Sequence, residues 1–204
     1  MRYYMFNKPA GYITACSDAR HRTVMELIPE EERGGLFPVG RLDKDTEGLL
    51  LLTDDGNFCF RVNTPESGIE KTYFFWAKGE VTDEELSRLA TGVTIYDKGG
   101  ELTAPAKVKR KDVAKMRDIV HLLSEDAARV RNTKLGDVPV TALELTITEG
   151  KKHQVKRMAR AVGLKVLYLE RIAVSSVRLD PDLPRGKFRP LTENEIQSIL
   201  GQGV

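Results

Sequence analysis

The chain has 204 residues, 41% of them hydrophobic and 30% charged, with a formal net charge of +2. That length carries one domain or two small ones with a real core, and no stretch approaches the ~20 apolar residues a membrane span needs, which excludes a helical membrane protein and a disordered chain. Cys16 and Cys59 form no CxxC, and the opening MRYYMFNKPAG has neither an apolar segment nor a cleavage site, so a cytoplasmic protein with two reduced thiols is expected.

Residues 2–6 are short and aromatic-rich and are broken by NKPAG, which predicts a strand and then a turn. Residues 23–28 predict a short helix stopped by Pro29, and EEERGG predicts a loop. The apolar run at 48–53, bounded by turn residues, predicts a buried strand, with a turn at DDG and a short helix over 57–62. A strand follows at 70–78, with Tyr73, Phe75 and Ala77 on one face. Thr82 and Glu85 form a capping box that opens a helix to residue 90, ended by Gly92. Residues 107–139 are polar and predict a long excursion between two strands. Residues 141–148 alternate strictly, as a half-buried strand does. At 154–162 the period turns helical, with Val155, Met158, Ala159 and Val162 on one stripe and Gly163 at its end. Strand returns at 164–169, and Thr192 with Glu195 opens a last helix to Leu200. Strands joined by short turns outnumber helices. The expected class is α+β, with a mixed, mainly antiparallel sheet and flanking helices.

Charge is uneven. Residues 150–171 hold seven Lys/Arg against one Glu, and 107–117 hold six against one Asp. Two basic patches on a near-neutral chain suit a polyanion partner, although a charge run taken alone is more often a solvated face. The three histidines are isolated, so no metal site is expected.

The stretch GRLDKDTEGLLLLTDDG at 40–56 admits three readings. Asp43, Asp45, Glu47, Gly48 and Asp54 fall at positions 1, 3, 5, 6 and 12 of a calcium loop. Yet position 12 is Asp rather than Glu, the upstream flank carries Gly and Pro, and LLLL offers no ligand. A plain turn accounts for Asp45 and Gly48 but not for Arg41 two residues before Asp43. The third reading is a carboxylate held against an apolar wall, partly desolvated and kept ionised by a cation from elsewhere in the chain.

GRLDKDTEGLLLLTDDG resembles the catalytic motif of the RsuA family of ribosomal RNA pseudouridine synthases. RYYMFNKPAGY at 2–12, EKTYFFW at 70–76, TEGKKHQVKRMARAVG at 148–163 and the C-terminal LERIAVSSVRLDPDLPRGKFRPLTENEI resemble that family's remaining motifs, in order and over most of the chain. The resemblance implies a single catalytic domain over 1–204 with two subdomains, a cleft across the sheet, and no S4 RNA-binding module ahead of it. It implies Asp43 as nucleophile, Tyr73 as the ring that stacks on uracil, and Lys156 as the cation that holds Asp43 ionised. It also implies that Leu179 lines the uracil pocket; on its own chemistry, the planar guanidinium of Arg41 beside Asp43 is expected to fill the space left by an extruded uridine. Lys151, Lys152, Arg157 and Arg160 contact phosphates, with Arg157 standing in for Lys156 should the register differ by one. Read alone, Tyr73 is an ordinary strand tyrosine, Lys156 a solvated helix lysine and Leu179 a strand leucine. Uridine isomerisation transfers no group in and changes no redox state, so no cofactor or metal is implied. The partner implied is ribosomal RNA or a partly assembled subunit, the site cytoplasmic, the chain a monomer. HQVKRM and EKTY lean towards the small-subunit branch. A large-subunit enzyme, or a silent RNA-binding assembly factor on the same fold, is the alternative.

Overall fold

The computed structural model describes residues 1–96, 99–123 and 134–201. In chain order its elements are β1 (Tyr3–Lys8), α1 (Glu30–Arg33), β2 (Phe37–Val39), β3 (Glu47–Thr53), α2 (Gly56–Asn63), β4 (Lys71–Lys78), α3 (Asp83–Thr91), β5 (Thr94–Ile95), β6 (Glu101–Leu102), β7 (Lys107–Lys115), β8 (Pro139–Ile147), α4 (Gln154–Ala161), β9 (Lys165–Val174), β10 (Val177–Arg178), β11 (Phe188–Pro190) and α5 (Glu193–Leu200). The class is α+β, a mixed sheet with flanking helices. The residues fall into two compact units, Met1–Thr72 with Thr148–Gly150 and Glu170–Val204, and Tyr73–Ile147 with Lys151–Leu169.

In the first unit β1 lies antiparallel between β3 and β11, and β2 also pairs with β3. The four leucines of β3 are all buried, as in a strand covered on both faces. Leu49 and Leu51 pack with Met5, Val39, Phe58 and Val62. Asp55 caps α2 by accepting from the amides of Asn57 (2.9 Å) and Phe58 (3.2 Å). β3 meets β9 in parallel, Gly48 opposite Arg171. Gly48 has φ +96°, and a Cβ there would lie 2.3 Å from the Arg171 carbonyl oxygen. The strand that follows the Asp43 turn can approach β9 this closely only because Gly48 has no side chain.

In the second unit β4 lies between β9 and β8, and β7 pairs with β8. Its core joins Phe75 and Ala77 of β4, Leu89 of α3, Leu143 and Leu145 of β8, and Val155, Met158 and Ala159 of α4. Both anticipated capping boxes form. The Thr82 Oγ1 accepts from Glu85 N, and Glu85 Oε2 from Thr82 N; Thr192 and Glu195 repeat the arrangement.

Three expectations are corrected. Residues 23–28 hold a 3-10 turn, Val24–Leu27, rather than an α-helix. Residues 30–33 form one helical turn where a loop is expected. The 107–139 segment opens with the nine-residue strand β7. β7 is largely exposed, so it carries lysines on both faces and loses the alternation that would mark it. Residues 124–133 of that segment lie outside the described residues.

Candidate active site

The turn 40–46 sits between β2 and β3 and is held by its backbone. Lys8, at the end of β1, is fully buried. Its ammonium donates towards four carbonyls: Pro9 (3.1 Å), Asp43 (3.1 Å), Lys44 (3.3 Å) and Thr46 (2.7 Å). An ammonium has three protons, so these bonds are shared, and its charge is offset by converging dipoles. The Thr14 hydroxyl donates to the Leu42 carbonyl (2.9 Å) and accepts from the Leu42 amide (3.1 Å). Gly11 N donates to Lys44 O, and Thr46 N to Asp43 O. Every peptide beside Asp43 is therefore tied to β1 or the loop after it, while its side chain stays half-buried. A carboxylate on a backbone fixed in this way has little conformational freedom left to lose on engaging a ligand.

Glu47 closes the turn from the other side. Its carboxylate lies 3.0 Å from Arg185 Nη2, which also reaches Glu170 Oε1 at 2.9 Å, and Arg185 Nη1 donates to Asn7 Oδ1. Asp54 meets Arg2 at 2.9 Å. These engagements dismantle the calcium reading, since Glu47 and Asp54 lie on opposite ends of a buried strand and face different arginines. Among the described residues no group of three or more His, Cys, Asp or Glu converges to hold a metal.

A second feature of this unit is a pair of buried cations. Lys71 is 5% exposed and Arg171 4%. Arg171 Nε donates to the Leu49 carbonyl at 2.8 Å. Burial first, and the Arg171 charge second, push the Lys71 amine down to about 8. Among the described residues no carboxylate pairs with either group.

In the second unit the basic stretch forms the start of α4. His153 takes a left-handed conformation, φ 51°, and the turn is locked by Lys151 N donating to the buried Gln154 Oε1 (2.9 Å). Val155 and Met158 enter the core, which leaves Lys156 and Arg157 half-buried at its edge, with Lys152 and Arg160 exposed. The Lys151 ammonium lies 2.9 Å from Glu101 and donates to the Leu102 carbonyl (3.2 Å), tying α4 to the β5–β6 hairpin. Tyr73 is half-buried on β4 against this unit's core.

The family model for RNA pseudouridylate synthase matches residues 2–161. The chain belongs to the RNA pseudouridylate synthases. It is similar to the RNA pseudouridine synthase YtzG of Bacillus subtilis strain 168, 44% identical over 97% of this chain and 72% of that protein. It is 37% identical to the ribosomal small subunit pseudouridine synthase A of Escherichia coli K12, over 98% of this chain and 74% of that one. A crystal structure of a pseudouridylate synthase, 35% identical, superposes with a TM-score of 0.77 over 97% of this chain and 73% of its own. The resemblance to the RsuA type is thereby established, and with it an isomerase that acts on RNA.

The first unit of this synthase carries Arg41 (exposed), Asp43 and Leu179, the last half-buried beside the apolar cluster that includes Met5 and Leu49. The second carries Tyr73, Lys151, Lys152, Lys156, Arg157 and Arg160. Sequence reading missed Lys8, Thr14 and Arg185. The NKP of 7–9 marks Lys8 only as a turn residue, and nothing local tells that its side chain crosses to the 43–46 carbonyls. No helix of the described residues is long and apolar enough to cross a membrane.

Proposed function

We propose that this synthase converts a uridine of small-subunit ribosomal RNA to pseudouridine, with Asp43 as nucleophile, Tyr73 stacked on the uracil and Lys156 as counter-charge to the carboxylate. The N1–C1′ bond breaks, the base turns, and C5 bonds to C1′; the C5 proton leaves and N1 gains one. The observation that carries the reading is the Asp43 turn, a half-buried carboxylate on a backbone clamped by a fully buried lysine. A surface turn would not need that clamp. Arg41, exposed two residues before Asp43, occupies the stack that a flipped uridine leaves in this reading. Leu179 lines the uracil pocket, and Lys152, Arg157 and Arg160 contact phosphates. The small-subunit target is supported by the relatives that bear that name at 36–38% identity. The setting is the cytoplasm, where ribosomal RNA is modified during assembly.

The test is to incubate the protein with unmodified small- and large-subunit ribosomal RNA and map pseudouridine. Product in the small-subunit RNA that disappears with Asp43→Asn is expected. Product confined to large-subunit RNA overturns the target, and undiminished product from Asp43→Asn overturns the nucleophile.

A further inference from the structure

In the first unit, residues 183–187, just ahead of β11, are fastened to the end of β1 at the buried Asn7. Gly186 N donates to the Asn7 carbonyl (2.7 Å), and Asn7 N donates to the Lys187 carbonyl (2.9 Å). The Asn7 side chain repeats the pairing: Nδ2 donates to the Leu183 carbonyl (2.6 Å), and Oδ1 accepts from Arg185 Nη1. The backbone and the side chain of Asn7 are thus both engaged by this segment. The next residue along β1 is Lys8, whose ammonium holds the carbonyls of the Asp43 turn.

Arg185 carries the same segment to the exit of that turn. Its Nη2 lies 3.0 Å from Glu47 Oε2 and 2.9 Å from Glu170 Oε1. Glu47 and Glu170 stand opposite one another where β3 pairs with β9, their side chains only 21% and 17% exposed. Like charges at opposed positions repel, and water screens them poorly at that burial. A planar guanidinium can serve both carboxylates and Asn7 at once. The second Glu47 oxygen, Oε1, accepts from Ala10 N at 3.4 Å. Glu47 is therefore held between the loop after β1 and the 183–187 segment. It directly follows Thr46, whose amide donates to the Asp43 carbonyl and whose own carbonyl accepts from Lys8.

We infer that Arg185 is a positioning residue for the isomerisation. Through Glu47 it fixes the exit of the Asp43 turn, and through Asn7 it steadies the strand from which Lys8 clamps that turn. The inference rests on the reading of Asp43 as nucleophile and extends it to a residue far along the chain. Without the guanidinium, two opposed carboxylates push β3 and β9 apart at the pair next to Gly48, and the turn that ends there shifts with them. A displacement of about 1 Å at a reacting group is enough to lower a rate on the order of 100-fold.

The experiment measures kcat and KM for pseudouridine formation in the ribosomal RNA that the wild type modifies, at a temperature below every variant's melting midpoint. Arg185→Gln is expected to lower kcat about 10- to 100-fold with KM within about twofold of wild type. Arg185→Lys keeps a positive charge between the carboxylates but not the fork, and is expected to fall between the two. In a Glu47→Gln background, where the opposed charges are already relieved, adding Arg185→Gln is expected to cost about threefold or less. Unchanged kcat in Arg185→Gln overturns the inference, including the case of a lowered melting temperature, which is a role in stability alone. A raised KM with kcat intact and a salt slope lowered by about one makes Arg185 a phosphate contact and also overturns it. Losses from Glu47→Gln and Arg185→Gln that multiply in full overturn the route through Glu47. Asp43→Asn separates this inference from the nucleophile reading: an active Asp43→Asn takes down both, whereas an inactive one beside a fully active Arg185→Gln takes down the inference alone.

Discussion

Lys8 and Lys71 are two buried lysines with opposite economies. Lys8 is surrounded by carbonyls, so its charge is solvated by the turn it holds. Lys8→Met leaves those carbonyls without their donor, and a loss of about 3 kcal/mol in urea denaturation is expected, with kcat falling more than KM as Asp43 loosens. A variant as stable and active as wild type would refute the clamp. Lys71 is buried with the Arg171 charge beside it, and burial first and that charge second hold its amine at about 8 against an ordinary 10.5. The folded-state value is lowered, so below about pH 8 both states carry the proton and the cost of the buried charge is fully present. Between about 8 and 10.5 the unfolded chain binds more protons, and stability rises with pH. Lys71→Met is expected to stabilise the chain at pH 7 by on the order of 1–3 kcal/mol and to abolish that rise. Denaturation midpoints across pH 7–11 check both, and a destabilised K71M would show that the lysine has a partner.

At the scale of elements, the junction of β3 with β9 depends on one residue. Gly48→Ala forces a Cβ into the Arg171 carbonyl and an L side chain into φ +96°. An expected loss of 2 kcal/mol or more, on the order of a strained backbone plus an overpacked contact, is measurable as a fall in melting temperature. A change below about 0.5 kcal/mol would mean the strands separate at little cost. The same element shows what sequence makes legible. Four buried leucines between turn residues mark β3 as a core strand, and both capping boxes fix helix starts to the residue. β2, β10 and β11 are two or three residues long, too short to display any period, and β7 is exposed on both faces. Such strands exist because a neighbour offers hydrogen bonds, and that is not written in their composition.

Across the whole molecule, the two basic stretches of the sequence are not equivalent. Of the six Lys/Arg in 107–117, four face carboxylates: Arg110 meets Asp83, Lys111 meets Glu144, and Lys115 and Arg117 meet Asp137. The expectation that this stretch extends an RNA surface is therefore weakened by its own ion pairs, whereas Arg160 of the other stretch is exposed on α4. Lys111→Ala should leave RNA affinity within twofold of wild type at 0.15 M salt, and Arg160→Ala should reduce the salt slope by about one. Equal effects from both would show that the ion pairs open on binding.

The sequence by itself determined the chemistry. Ordered motifs around Asp43, Tyr73 and Lys156 identify the family, and with it the reaction, because motifs are strings of residue types and residue types are written in the chain. What only tertiary structure decided is how the Asp43 turn is held and which basic residues of 107–117 meet acids. Lys8 reaches the carbonyls of Asp43, Lys44 and Thr46 across 35 residues or more, and Arg110 and Arg117 find acids 20 or more positions away. Such pairings depend on which strands lie side by side, and distance along a chain carries no information about that.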